Sequence, residues 1–522
     1  MGGGDGVTIT PMLTHTPARP DIYIGLVAAA GTDLTSVRAQ LKAQLAVVGY
    51  VVCEVKVSGL IRQLLSLPDT SDEYIRIQSL QKGGDKIRDL SDNGDGVAAS
   101  VIAEIRRARD KNTNDASTCT AYVIDSFKNP AEVQLFDLVY GRNYYTVSVY
   151  LERVKRLENL QLAIARSRHE PPENSYAQQA EELIESDEKS FGRKSQNVRD
   201  TFSSADFFVN AGGDVLPQLE RFVSLVFGKP FVSPTPDEYG MFVARATGLL
   251  SADLSRQVGA AIFDDHKRIV ATGCNEVPYP GGGIYSFPSS LIGDNRDHTH
   301  RVDPNFIEIQ RSLIELIKVF KKAGLVSDTS EASEITDQLL VGDYKELMAN
   351  ARIRNLIEFG RVVHAEMHAI CEAAEAGRST LGATLYCTTF PCHGCARHII
   401  AAGLAEVIYI EPYPKSMAVQ LYSDEISLGD RSPSLAEQDR KKVVFRPFHG
   451  IAPRLYQRVF NHRVGKDERG TIPEWQPLKA TPVGAVHSVD RPTLELAASN
   501  SVASLVEQIR ASNIKPGETR DA

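Results

Sequence analysis

The chain has 522 residues and a formal net charge of −8, so two domains are expected and a broad nucleic-acid-binding surface is disfavoured. Its seven cysteines are odd in number and scattered, which excludes a disulfide framework. Because it lacks an apolar run of about twenty residues and the pattern of a signal peptide, we expect a cytoplasmic protein with no membrane contact.

After an N-terminal tail over residues 1–20, residues 21–235 alternate short apolar runs with helical patterns. Such alternation predicts a mostly parallel sheet covered by helices. The strand candidates are 21–28, 50–57, 120–126, 144–151 and 205–210. A helix is indicated where apolar residues recur at helical spacing, at Leu34, Val37, Leu41, Leu45 and Val48.

A linker is indicated by the two prolines of residues 232–237, and a second α/β pattern follows over 236–478. Its strand candidates are 258–263, 268–273, 384–389 and 406–411. The polar stretch 280–350 is a long insertion, which is expected to be either functional or mobile. Residues 479–522 are rich in Ala, Ser and Pro and predict a loosely held C-terminal tail.

Four residues of the second region carry a metal motif: His364, Glu366, Cys392 and Cys395. Two cysteines three apart at a helix start share one face, and the positive helix end favours thiolates. One imidazole and two thiolates predict a catalytic zinc centre, in which the fourth tetrahedral position stays free for water. Glu366 is placed to carry the protons of a hydrolytic deamination. The order H-x-E…P-C-x-x-C is the known signature of zinc nucleobase deaminases.

The alternative is a closed structural zinc site with His393 as the fourth ligand. Cys-x-x-Cys alone occurs in redox and structural sites, so the pair of cysteines does not decide between the two. A closed site would leave Glu366 without a role, and the open, catalytic interpretation is therefore preferred.

Around this motif, about residues 238–460 resemble the deoxycytidylate deaminase family. The resemblance is carried by LSADLSRQVGAAI (250–262), TGCNEVP (272–278), GRVVHAEMHAI (360–370) and LYCTTFPCHGCARHII (385–400). Phe390 before the proline resembles deoxynucleotide deaminases, whereas tRNA adenosine deaminases usually carry a glutamate there. The whole chain resembles more closely the two-domain bacterial members with a P-loop-kinase-like N-terminal domain, some of which are anti-phage dCTP deaminases.

The resemblance implies an α/β fold in two parts. Residues 21–235 would form a P-loop-kinase-like parallel sheet domain with a regulatory or nucleotide-sensing role. Residues 236–478 would form a three-layer α/β/α cytidine-deaminase-like domain that contains the insertion.

The same resemblance assigns substrate-binding roles. It implies that Asn275 contacts the deoxyribose and that four residues before and within a strand lie near the nucleotide, namely Gln257, Val258, Gly259 and Ala260. Cations nearby are candidate phosphate clamps, because guanidinium groups bind phosphate bidentately: Arg296, Arg301, Arg361 and, as an ammonium, Lys415. For each of these cations the alternative is an ordinary solvated surface residue.

The N-terminal region resembles deoxynucleotide kinases in IGLVAAAGTDL (24–34) and VIDSFKNPAEVQLF (123–136). The first segment has the strand–turn–helix form of a phosphate loop, with Gly25, Gly31, Thr32 and Asp33 as its candidate residues. It departs from G-x-x-x-x-G-K-[ST], because Leu26 stands at the first glycine and Thr32 replaces the lysine. We therefore expect a degenerate loop and no kinase activity.

The sequence thus predicts a zinc-dependent deaminase that converts dCTP to dUTP and dCMP to dUMP. The resemblance adds antiviral defence by dCTP depletion, a homo-oligomer with a hexamer as one option, and, by analogy alone, an inhibitory small RNA. One alternative is a polynucleotide cytosine or adenine deaminase, which the acidic balance disfavours. The other is a non-catalytic nucleotide-sensing protein with a structural zinc.

Overall fold

A computed structural model describes residues 19–111, 119–171, 176–188, 195–285, 293–301, 303–327, 329–348, 351–356, 358–413, 416–429, 442–461, 465–466, 468–472, 474–485 and 490–513. The chain divides into two compact units. Unit 1 comprises residues 1–233 and 450–522, and unit 2 comprises residues 234–449. Among the described residues, no helix combines the length and the apolar character that a bilayer crossing requires.

In the described part of the chain, the strands form two six-stranded sheets, one in each unit. They are β1 (Ile22–Ala28), β2 (Val51–Lys56), β3 (Thr120–Phe127), β4 (Tyr144–Tyr150), β5 (Phe207–Asn210), β6 (Gly259–Phe263), β7 (Ile269–Cys274), β8 (Thr384–Thr389), β9 (Glu406–Glu411), β10 (Ile426–Leu428), β11 (Val443–Pro447) and β12 (Gly450–Ile451).

Helices cover both sheets. Those of unit 1 are α1 (Thr35–Val47), α2 (Val57–Leu65), α3 (Glu73–Leu90), α4 (Gly96–Lys111), α5 (Pro130–Tyr140), α6 (Arg153–Ser167), α7 (Ala177–Glu188), α8 (Val198–Ser203), α9 (Val215–Val226), α17 (Pro453–Phe460) and α18 (Arg491–Asn513). Those of unit 2 are α10 (Pro236–Gly248), α11 (Asp297–His300), α12 (Pro304–Lys322), α13 (Ala332–Leu340), α14 (Ala365–Glu375), α15 (His393–Ala401) and α16 (Ala418–Leu421).

The sheet of unit 1 has the order β12-β5-β4-β1-β3-β2, and its strands are parallel except for β12. Strand β1 is buried along its whole length, as expected for the centre of a parallel sheet. Alternate residues of β1 enter different cores: Ile24 packs in the cluster that contains α1 and α9, and Tyr23 in the cluster that contains α4 and α5. Helices therefore lie on both faces of this sheet.

The sheet of unit 2 has the order β10-β11-β9-β8-β6-β7, with β6 antiparallel to both of its neighbours. On one face Ile262 and Leu385 pack with Ala365 and Ala396 of α14 and α15. On the other face α10 approaches so closely that a Cβ on Gly240 would lie 2.4 Å from the Tyr386 ring. Since side chains alternate along a strand, unit 2 has the expected three layers.

The α/β class predicted from the sequence is confirmed, and each strand candidate coincides with a strand to within about two residues. Helix α1 buries Val37, Leu41 and Leu45, as its spacing predicted. Part of the 280–350 insertion forms α12 and α13, which share a small core of Ile309, Leu313 and Leu340.

The C-terminal division differs from the expected one, because residues 450–522 belong to unit 1. Strand β12 pairs with β5, and α18 buries Ala498, Val502, Leu505 and Ile509 in the core that contains α4 and α5. In addition, Arg109 donates two hydrogen bonds, of 2.8 and 3.0 Å, to the buried Glu495 carboxylate. The sequence of this region is rich in small and polar residues, and its apolar residues at helical spacing were therefore not recognised. The prediction of a loose tail was wrong for α18, which is a packed helix.

This packing predicts a stability difference between two leucines of α18. Leu505 is 4% exposed and Leu496 is 44% exposed. Leu505→Ala should destabilise unit 1 by about 2–4 kcal/mol because it leaves a cavity, whereas Leu496→Ala should change the free energy of unfolding by less than about 0.5 kcal/mol. Thermal and urea unfolding of both variants measures this. Equal, small effects would show that α18 is not part of the core.

Candidate metal centre

Two helix starts in unit 2 bring three potential metal ligands together. His364 is the residue before α14, and Cys392 is the residue before α15. The Nδ1 atom of His364 lies 3.3 Å from Sγ of Cys392 and 3.4 Å from Sγ of Cys395. In the part of the chain that the structure describes, no other group of three His, Cys, Asp or Glu side chains has its ligand atoms within 4.8 Å of one another.

The packing of α14 on β7 positions His364. A Cβ on Gly273 would lie 2.3 Å from the carbonyl oxygen of Ala365, so only glycine permits this approach of the helix to the strand. Ala365 and Ala369 are fully buried at the same contact. A hydrogen bond also connects α14 to β7, because Nδ1 of His368 accepts from the backbone N–H of Cys274 at 3.1 Å.

The turn from β8 into α15 positions the cysteines. The N–H of Phe390 donates to the carbonyl oxygen of Glu411 at 2.7 Å, and the Ser416 hydroxyl donates to that of Pro391 at 2.8 Å. Cys392 then caps α15, its sulfur accepting from the N–H of Cys395 at 3.4 Å. A thiolate at a helix start is stabilised by these amide groups and by the helix dipole.

The three donor groups shift one another's pKa values through their contacts. The hydrogen bond from Cys395 lowers the pKa of Cys392 to about 4, with His364 adding to the effect, and the pKa of Cys395 lies well above its ordinary value. The hydrogen bond with Cys392 raises the pKa of His364 to about 9. A thiolate, a thiol and an imidazolium in contact form a donor set that zinc fits, since it binds thiolate and neutral imidazole in place of these protons.

Glu366 lies in the first turn of α14 and is 4% exposed. Burial raises the pKa of its carboxyl group, while the neighbouring His364 and a hydrogen bond with Cys395 oppose the shift. A buried carboxyl group with a raised pKa can both accept and return a proton near neutral pH. Its position beside the donor group is the one that the sequence predicted for a proton carrier.

The donor group opens into a cavity of about 440 Å³. Besides the three ligands, its wall includes Glu358, Val362, Val363, Met367, His393, Gly394, Arg397, His398, Leu421 and Tyr422. Arg397 was not predicted from the sequence. It lies two residues after Cys395 on the exposed side of α15, and its spacing of four residues from His393 could have indicated it.

Two of the residues that were predicted to contact the nucleotide form hydrogen bonds within the loop between α10 and β6. The side chain of Asn275, 7% exposed, accepts from the N–H of Val258 at 2.7 Å and donates to the carbonyl oxygen of Arg256 at 2.8 Å. Gln257 donates to the carbonyl oxygen of Ser251 at 2.8 Å. In this structure both side chains hold the loop between α10 and β6, and a contact of Asn275 with deoxyribose stays a prediction.

Gly259 and Ala260 are the first residues of β6 and are buried. A Cβ on Gly259 would lie 1.8 Å from the carbonyl oxygen of Ala244, so this glycine is required by the close approach of α10. The N–H of Gly259 donates to the Thr388 hydroxyl at 3.1 Å. Packing therefore explains these two motif residues without a ligand.

Two of the candidate phosphate clamps are paired with carboxylates. Arg296 contacts Asp294 at 2.6 Å, and Arg361 contacts Asp297 at 2.8 Å. Arg301 is exposed and follows α11 in the left-handed region, at a φ of 57°. None of these three arginines is in the wall of the described cavity, and Lys415 lies outside the described residues. Phosphate binding by these cations remains a prediction.

In unit 1, a carboxylate group of the protein itself is hydrogen-bonded to the backbone of the candidate phosphate loop. Asp187 accepts from the N–H of Ala30 at 2.7 Å and pairs with Lys128 at 2.9 Å. Gly25 lies within β1, and Gly31 has a φ of +85°, with Arg156 where a side chain would be. Thr32 follows that turn, and Asp33 accepts from the N–H of Thr35 at 2.9 Å, before α1.

A comparison with known protein families finds a match within unit 2. Residues 234–411 match the family described as "Cytidine and deoxycytidylate deaminase zinc-binding region". All three ligands and Glu366 lie within this match. Zinc is therefore the cofactor of this centre.

Three curated relatives are similar over short stretches. The deoxycytidylate deaminase of Enterobacteria phage T2 is 44% identical over 54 residues, 10% of this chain and 29% of that protein. ComE operon protein 2 of Bacillus subtilis is 45% identical over 53 residues, 10% of this chain and 28% of that protein. A probable deoxycytidylate deaminase of Drosophila melanogaster is 29% identical over 178 residues, 33% of this chain and 58% of that protein. The chain thus spans less than two thirds of each.

Among solved structures, the dCMP deaminase of cyanophage S-TIM5 is similar at 17% identity and a TM-score of 0.21 in its apo form. The match covers 41% of this chain and 99% of that protein.

The donor geometry predicts the effect of removing one cysteine. Cys392→Ser should reduce bound zinc from about one ion per chain to a small fraction, because a hydroxyl group replaces a thiolate ligand. Cys371→Ser is the control, since Cys371 is exposed on α14. Zinc content after dialysis of the purified chains measures this. Full retention of zinc by the Cys392→Ser chain would contradict the assignment.

Proposed function

We propose that the chain is a zinc-dependent hydrolytic deaminase of free cytosine deoxynucleotides. The observation that carries the proposal is the buried Glu366 carboxyl group, which is hydrogen-bonded to Cys395. Cys395 belongs to the group of three donors, and these three donors line a cavity of about 440 Å³. A cavity of this size lies in the range that holds a small molecule.

The reaction requires a proton carrier as well as a metal. Zinc held by His364, Cys392 and Cys395 would supply Lewis acidity at the position that the protein leaves free. Glu366 takes one proton from the attacking water while the water oxygen bonds to C4 of cytosine. Glu366 then gives this proton to N3 of the base. The Glu366 carboxylate then takes the remaining proton from the hydroxyl group on C4 and transfers it to the amino nitrogen. The C4–N4 bond breaks, the C4 carbonyl forms, and ammonia leaves. Burial favours this role because it raises the pKa of Glu366.

The open metal site also bears on the structural-zinc alternative. His393 lines the cavity, but it is not a member of the group whose ligand atoms lie within 4.8 Å of one another. Three protein ligands with one free position are typical of catalytic zinc, whereas structural zinc has four. The arrangement supports a catalytic site.

The proposal also covers how the phosphate of the substrate is bound. Arg397 is the arginine in the wall of this cavity, and its guanidinium can bind phosphate oxygens bidentately. We assign both dCMP and dCTP as substrates. The choice of dCTP, the depletion of dCTP during phage infection, the homo-oligomer and the inhibitory small RNA rest on the family resemblance alone.

Substituting the proton carrier should separate chemistry from metal binding. Glu366→Gln should lower kcat by about a thousandfold or more, because the amide cannot transfer the protons, while zinc content stays at the wild-type level. Glu372→Gln, at an exposed position of the same helix, is the control. Uracil nucleotide formation and bound zinc are measured on the same preparations. Unchanged turnover in the Glu366 variant would remove this residue from the mechanism.

A substrate panel tests the phosphate assignment. Arg397→Ala should raise KM for dCMP and dCTP about tenfold with little change in kcat, because it removes a charge-assisted contact made equally in the ground and transition states. Deoxycytidine should be unaffected by the substitution. The control is Arg245→Ala, at an exposed position of α10.

The same assay includes CTP and single-stranded oligonucleotides. Activity on oligonucleotides alone would favour the polynucleotide deaminase instead. No activity on any substrate, with zinc bound, would favour the nucleotide-sensing alternative.

A further inference from the structure

A short segment of the insertion, residues 294–297, contacts the chain just before the first metal ligand. Arg361 is three residues before the metal-binding histidine, and its guanidinium donates to the Asp297 carboxylate at 2.8 Å and to the carbonyl oxygen of Asn295 at 2.9 Å. The Asn295 amide in turn donates to the hydroxyl of the buried Tyr285 at 3.2 Å. These bonds fix the segment to two different parts of unit 2.

The same segment places a buried guanidinium beside a buried carboxylate. Arg296 is 8% exposed and Glu276 is 1% exposed, and Nη1 of Arg296 lies 3.9 Å from Oε2 of Glu276. The Arg296 guanidinium also donates to both carboxylate oxygens of Asp294, at 2.6 and 2.9 Å, which holds it in this orientation. Burying a carboxylate is unfavourable without a compensating charge, and Arg296 supplies that charge to Glu276.

Glu276 connects three parts of the chain around the metal centre. Its carboxylate accepts from the N–H groups of Ala252 and Val277, and its backbone forms two hydrogen bonds with Val363. Ala252 belongs to the loop between α10 and β6, which Asn275 also holds. The positions of this loop and of the histidine that follows Val363 therefore depend on one carboxylate.

Neither arginine presents a free guanidinium to a phosphate group. Arg296 and Arg361 are both paired with carboxylates, and neither lies in the wall of the cavity beside the metal ligands. A phosphate group would have to replace Asp294 or Asp297 as the partner. The contacts favour an action of these arginines through the protein itself.

We propose that Arg296 and Arg361 are positioning residues of the deaminase centre. Arg296 acts through Glu276 on the loop between α10 and β6, and Arg361 holds the chain before His364 against residues 294–297. A displacement of about 1 Å at a reacting centre lowers the rate about a hundredfold, so the two arginines affect turnover without contacting the substrate. The inference rests on the function proposed for unit 2.

A substrate series in the full, zinc-loaded chain separates positioning from phosphate binding. Arg296→Met should lower kcat about a hundredfold, by the same factor for deoxycytidine, dCMP and dCTP, while bound zinc stays at the wild-type level. Arg311→Met, which removes an exposed ion pair on α12, is the control. A loss confined to dCMP and dCTP would make Arg296 a phosphate ligand, and wild-type turnover would leave it without a role. Either result overturns the proposal.

The pair of Arg361 with Asp297 gives a second test that leaves the arginine in place. Asp297→Ala removes the partner of Arg361 and should lower kcat about tenfold, as Arg361→Gln does, because both break the same contact. If Arg361 bound phosphate instead, Asp297→Ala would free its guanidinium and lower KM for dCMP. That result, or a kcat equal to that of the wild type, would overturn the role of Arg361.

A double-mutant cycle tests the action through Glu276. Glu276→Gln removes the buried charge that Arg296→Met leaves without a partner. Arg296→Met should therefore lower kcat less than about threefold in the Glu276→Gln chain, against about a hundredfold in the wild type. Equal factors in both chains would show that Arg296 does not act through Glu276.

Amide hydrogen exchange measures the same positions without the reaction. The N–H groups of Ala252, Val277 and Val363 all donate to Glu276, and in Arg296→Met they should exchange at least tenfold faster than in the wild type and in Arg311→Met. Unchanged exchange overturns the proposal.

Exchange also separates the two possible failures. A wild-type chain that deaminates none of the three substrates contradicts the proposed function, while the exchange rates still show whether Arg296 holds the loop. If Arg296→Met does not fold, Asp297→Ala, at a half-buried position, is used for the same kinetic and exchange measurements. In that variant the N–H of Val363 should exchange faster, and an unchanged rate counts against the proposal.

Discussion

The contact of one imidazole nitrogen with two cysteine sulfurs is the interaction on which the function of unit 2 depends. Its members are 28 and 31 residues apart in the chain, and two helix starts bring them within 3.4 Å. Close packing maintains that distance, because Gly273 allows α14 to touch β7 and the turn after β8 directs Cys392 to the same point. The position of the proposed proton carrier follows from the same geometry, since Glu366 is only two residues from the histidine.

The neighbouring loop is tied to this centre by one buried carboxylate. Glu276 accepts from the N–H groups of Ala252 at 2.8 Å and Val277 at 2.9 Å. Its own backbone pairs with Val363, the residue before His364, through two hydrogen bonds of 2.9 and 3.2 Å. The loop that Asn275 holds and the first metal ligand are therefore connected by short, buried hydrogen bonds. Such bonds keep groups in place at little cost during a reaction.

The two units use carboxylates in opposite ways. In unit 2 the buried Glu366 lies beside a donor group that remains open to a cavity. In unit 1 the buried Asp187 occupies the backbone N–H of the loop after β1 and neutralises Lys128. Thr32 stands where a phosphate-binding loop has a lysine, and Asp187 already accepts the hydrogen bond of a loop N–H. Both features weaken phosphate binding at that loop.

From the sequence alone, the periodicity of apolar residues determined the α/β class, nearly all the long strands and helix α1, because these depend on residues close together in the chain. The spacing of His364, Cys392 and Cys395 likewise indicated the metal centre, and that of Glu366 indicated the proposed proton carrier. Only the tertiary structure placed residues 450–522 with unit 1 and paired Arg296 and Arg361 with carboxylates. The reason is that pairing and burial of a polar group depend on which distant residues surround it, and a local pattern does not contain that information.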